Sequence, residues 1–85
     1  MTTEEQVQLA NRSILQSLSD CRGYMLPEPV LFAQTNMMVV PPLTKSEFDE
    51  RLKWLEAEGL IAGVNPKLQG PRKWIITDQG RASLA

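Results

Sequence analysis

The chain has 85 residues, 42% of them hydrophobic, with 9 basic and 10 acidic side chains, no histidine, one cysteine and a net charge of -1. That length predicts one domain over 1–85, and the balanced charge counts against a protein built chiefly to hold phosphates. A lone Cys21 allows no intrachain disulfide, so a reducing, cytoplasmic setting is expected.

The polar, acidic start Met-Thr-Thr-Glu-Glu is no signal peptide. No apolar run approaches the roughly 18 residues of a membrane span. Thr2 or Thr3 can cap a first helix, with Glu5 and Gln6 three places on. Val7, Ala10, Ile14 and Leu18 then share one face with Leu15 beside it, while Leu9 lies opposite and is expected to be exposed. The helix should end near Asp20, with Gly23 in the turn. Cys21 has no flanking signature of a reactive thiol and reads as buried or incidental.

Tyr24-Met25-Leu26 is short and apolar, consistent with a small strand. Pro27-Glu28-Pro29 suits the opening of a second helix, where a missing backbone donor costs nothing. Residues 30–38 are apolar on nearly every side: Val30, Ala33 and Met37 share a face, Leu31 and Met38 lie beside it, and Phe32 is roughly opposite. Such a helix is either sandwiched or has an outer face that meets a partner. The Met37-Met38 pair reads as gap-filling core. Val39-Val40-Pro41-Pro42 cannot continue the helix.

Residues 43–61 carry the clearest signals. Thr44 and Glu47 form a capping box, with Leu43 and Phe48 as a hydrophobic staple. Phe48, Leu52 and Leu55 make a narrow apolar stripe. Gly59 is placed for the left-handed conformation, and Leu60 beyond it can fold back on Leu55 in a Schellman stop. Residues 60–65 then read as a strand, 66–71 as a Pro/Gly turn and 72–77 as a second strand, with Trp74 and Ile76 inward and Lys73 and Ile75 outward. Thr77 can cap a last short helix over 78–84.

Helix, short strand, helix, turn, helix, hairpin and short helix, in that order, resemble the winged helix-turn-helix superfamily, an α+β, mainly α fold. Two stretches carry the likeness: Leu52-Lys53-Trp54-Leu55-Glu56-Ala57-Glu58-Gly59-Leu60-Ile61, similar to a recognition-helix exit, and Trp74-Ile75-Ile76-Thr77-Asp78-Gln79-Gly80-Arg81-Ala82-Ser83-Leu84, similar to a wing exit. The resemblance implies a transcriptional regulator that contacts double-stranded DNA, with Lys45, Ser46, Asp49, Glu50 and Lys53 toward base edges and Lys67, Arg72 and Lys73 on the wing near phosphates. No long helix follows Leu84 within the sequence, so pairing into a homodimer is expected to use the first helix or exposed aromatics.

The third helix departs from that pattern by being acidic: Lys45, Arg51 and Lys53 stand against Glu47, Asp49, Glu50, Glu56 and Glu58. Phosphates spaced about 1.7 Å along the duplex axis repel such a surface, although carboxylates can accept from cytosine N4. Trp54 lies far round this helix from the apolar stripe. It either packs against the hairpin or second helix, or anchors a partner. With Phe32, Leu68 and Leu9 it defines an alternative function, a protein-interaction module on the same scaffold. Without histidine, a phosphate loop or zinc-ligand spacing, no enzymatic activity, cofactor or metal is expected.

Overall fold

Helix α1 (Glu4–Ser19) begins at Thr3, whose hydroxyl accepts the Gln6 N–H at 3.2 Å while the Gln6 side chain accepts the Thr3 N–H at 3.0 Å. The structure, a computed structural model, describes residues 3–21, 24–65 and 70–84. Ala10, Ile14, Leu15 and Leu18 are buried as the periodicity predicts, and Leu9 is exposed. Ser13 and Ser17 are buried too. Their small side chains suit the close packing of α1 against the next helix. Asp20 caps the end of α1.

Strand β1 (Leu26–Pro27) starts later than the apolar triplet suggests: Tyr24 and Met25 are exposed and lie outside it. Pairing decides the strand's extent, because only Leu26 and Pro27 find partners, opposite Trp74 and Lys73. Helix α2 (Glu28–Met38) follows at once, with proline in its first turn. Its buried line is Leu31 and Thr35, continued by Val39 beyond the helix end. The Val30, Ala33 and Met37 face points to solvent, and Met37 and Met38 do not fill the core. A helix apolar all round carries no sequence signal of which side its neighbours will cover. Here α1 covers the Leu31–Thr35 side.

Asn36 holds the connection to the third helix. Its side chain donates to the Leu43 carbonyl at 3.2 Å and accepts the Leu43 N–H at 2.9 Å. Helix α3 (Lys45–Ala57) then opens with the expected capping box: Thr44 accepts the Glu47 N–H at 3.2 Å, and Glu47 accepts the Thr44 N–H at 2.9 Å. Leu43 and Phe48 are both buried in the core. At the other end Gly59 has φ 76°. The Leu60 N–H reaches the Leu55 carbonyl and the Gly59 N–H the Glu56 carbonyl, each at 3.0 Å. These are the two bonds of a Schellman stop.

Strands β2 (Ile61–Val64) and β3 (Lys73–Ile76) pair antiparallel, Ile61 opposite Ile76 and Val64 opposite Lys73, in a sheet of order β1-β3-β2. Trp74 and Ile76 are buried; Lys73 is exposed. Thr77 joins the two ends of the hairpin to α4 (Asp78–Leu84). Its hydroxyl lies 2.7 Å from the Gly59 carbonyl and 2.9 Å from that of Leu60, and accepts the Gly80 N–H at 3.0 Å. A Cβ on Gly80 would collide with the Leu60 carbonyl oxygen and come within 2.8 Å of Ile76 Cγ1. Glycine is required there by this close approach. One core, from α1, α2, α3 and the hairpin, gathers these apolar side chains. No helix among the described residues is long and apolar enough to cross a membrane.

Candidate nucleic-acid interface

Opposite the buried Phe48, Leu52 and Leu55, α3 carries Ser46, Asp49, Glu50 and Lys53 at the spacing that puts them on one face. Ser46, Glu50 and Lys53 are exposed and Asp49 is half-buried. Lys45 sits on the flank of that face. Its Nζ lies 2.9 Å from Glu28 Oε2 and 2.8 Å from Asp49 Oδ1, and 5.3 Å from the centroid of the Phe48 ring. Burial pulls its pKa down, while hydrogen bonds to Asp49 and Glu28 and the charge of both carboxylates push it up, leaving it above the ordinary lysine value. Lys45 therefore ties α3 to the start of α2 as well as lying near the face.

The hairpin carries Arg72 and Lys73, but they differ in kind. Arg72 is half-buried: its Nη2 lies 3.2 Å from Glu56 Oε2 of α3, and its guanidinium stacks 4.6 Å from the centroid of the Trp74 ring. Gly63, opposite Trp74 in the sheet, makes room for this stack. A Cβ there would come within 2.8 Å of both Arg72 Nη2 and Trp74 Cζ3. On its polar edge the Trp74 indole N–H donates to Glu28 Oε1 at 3.2 Å. Arg72 is thus a brace between hairpin and α3, whereas Lys73 is exposed and makes no ion pair among the described residues. Lys67 and Leu68 lie outside the described residues.

The third helix handing over through a glycine to an antiparallel hairpin, with a two-residue strand from between α1 and α2 on its other edge, is the arrangement that the sequence likeness implies. A crystal structure of a proposed transcriptional regulator from Thermoplasma acidophilum matches it with a TM-score of 0.76, over 99% of this chain and 79% of that chain, at 19% identity. The fold is a winged helix-turn-helix. Its third helix is α3 and its wing is the β2–β3 hairpin. No protein-family model matches the chain, and no curated protein matches its sequence.

Glu28, Glu56 and Gly63 were not among the residues expected to matter at this face. Their partners lie 46, 16 and 11 positions away along the chain, and no local pattern signals such pairings. The apolar candidates are scattered over the winged helix. Phe32 is half-buried, with its ring 4.9 Å from that of Phe48 at 50°. Leu9 lines a shallow groove with Met38. Trp54, 44% exposed, forms one wall of a separate groove with residues of α1 and α4.

Proposed function

We propose that this winged-helix protein is a small DNA-binding regulator that sets the exposed face of α3 in the major groove and the wing against the flanking backbone. The observation that carries the reading is the freedom of Ser46, Glu50 and Lys53 on the face of α3 turned from the core, beside a wing with an exposed Lys73. Lys53 supplies positive charge there, and Glu50 and Asp49 are acceptors suited to the amino group of cytosine. Lys73 and Lys67 act as phosphate contacts, which give affinity without sequence information. Arg72 holds the wing in register with α3, and Lys45 sits where α3 would approach the backbone. Fluorescence anisotropy with a labelled random-sequence duplex at low ionic strength tests this. The wild type is expected to bind and Lys53→Glu with Lys73→Glu to lose binding while staying folded. A folded wild type that leaves the probe unbound would contradict it.

A second reading, a protein-interaction module, is favoured by the outer face of α2, where Met37 is 84% and Val30 42% exposed beside Ala33. Such a contiguous apolar strip is a surface that a second copy or another protein can cover. Light scattering on the wild type and Met37→Lys discriminates: a dimer that the substitution dissociates supports this module, and a monomer in both cases opposes pairing through α2.

A further inference from the structure

We propose that the groove between α1, α3 and α4 binds a small aromatic carboxylate. It is an open groove of about 370 Å³, room for a small organic ligand. The apolar surface comes from Leu60 and from Leu84 at the end of α4, both half-buried, over a floor of the buried core residues Leu15 and Leu55. Trp54 forms one wall, and its half-exposed indole offers a flat face on which a ring can stack. One charged side chain selects the ligand's chemistry. Arg12 is the one charged side chain lining the groove among the described residues, and it makes no ion pair there. A guanidinium without a carboxylate partner among the described residues, in a described lining that holds no acid, matches a carboxylate with two oxygens to offer. Trp54 stands one turn beyond Glu50 on α3, so the groove borders the proposed DNA-contacting face, but none of the residues proposed to contact DNA lines it.

The probe is 2-naphthoate, with neutral 2-naphthamide as its size-matched control, titrated into the whole chain and followed by two-dimensional 1H–15N NMR. The expected result is a saturable shift of the Trp54 indole N–H with the Trp74 indole unmoved, and about tenfold tighter binding of the acid than of the amide. Arg12→Gln, a change at an exposed position, should keep the fold and bring the two affinities together. No saturable shift at millimolar naphthoate, or equal affinities for acid and amide in the wild type, overturns the proposal. So do shifts centred on Leu9 and Met38, which share Arg12 across α1. Trp54 shifts that depend on protein concentration alone, with a matching rise in mass, show a second copy in the groove and also overturn it.

Discussion

The indole N–H of Trp74 donates to Glu28 Oε1 at 3.2 Å, while the other oxygen of the same carboxylate lies 2.9 Å from Lys45 Nζ. One side chain at the start of α2 therefore touches both the base of the wing and the first turn of α3. The Arg72–Glu56 pair makes a second joint between the same two parts. Half-exposed ion pairs of this kind contribute only about 0–1 kcal/mol each. Their importance here is geometric, since they set how the wing stands relative to α3.

Glu28→Ala and Glu28→Gln should differ. Alanine leaves the nearly buried Trp74 indole N–H without its acceptor, and an unpaired buried donor costs about 1–3 kcal/mol. Glutamine keeps an acceptor for Trp74 but removes one of the two charges on Lys45, so stability should fall less and DNA affinity should rise as Lys45 is released. Urea denaturation of both variants checks the first part, and equal losses would count against the Trp74–Glu28 bond as the reason.

Gly80→Ala should destabilise the protein by about 1–3 kcal/mol, the usual range for forcing extra atoms into a packed site. The obstruction is backbone, the Leu60 carbonyl oxygen, which also accepts from Thr77 and cannot simply rotate away. A midpoint of urea unfolding unchanged from wild type would show that α4 can lift off Leu60 without cost.

The contrast between α3 and α2 shows what the sequence makes legible. Both ends of α3 are written in residues at most five apart, Thr44 with Glu47 and Leu55 with Leu60, because caps are local hydrogen-bonding problems. The hairpin and the inward set of Trp74 and Ile76 follow from the two-residue alternation of a strand. For α2 the side facing the core is chosen by where α1 lies, and its apolar residues run all round, so Thr35 rather than Met37 is buried. At the candidate interface the exposed face of α3 is readable from helical spacing. That Lys45 and Arg72 are engaged by Glu28 and Glu56 depends on long-range packing, which spacing does not encode.

Cys21 should alkylate slowly at neutral pH. Burial, and secondly the charge of Asp20, push its thiol pKa up, and its Sγ donates to the Ser17 carbonyl at 3.4 Å. Because the folded value lies above the unfolded one, the associated stability is fully present below the ordinary thiol range and is lost as pH rises through the folded value. The iodoacetamide rate plotted against pH should reach its midpoint at higher pH than for an unfolded Cys21 peptide. A midpoint at or below that of the peptide would mean the thiol is more open than its surroundings indicate.

The salt dependence of duplex binding probes most directly whether α3 and the wing hold DNA. The wild type should bind a random duplex at about 50 mM salt and weaken steeply by about 200 mM. Lys73→Ala should flatten the plot of log affinity against log salt by about one unit while leaving the fold intact. A folded protein with no affinity at the low-salt end, or an affinity indifferent to salt and to Lys73, would contradict the account.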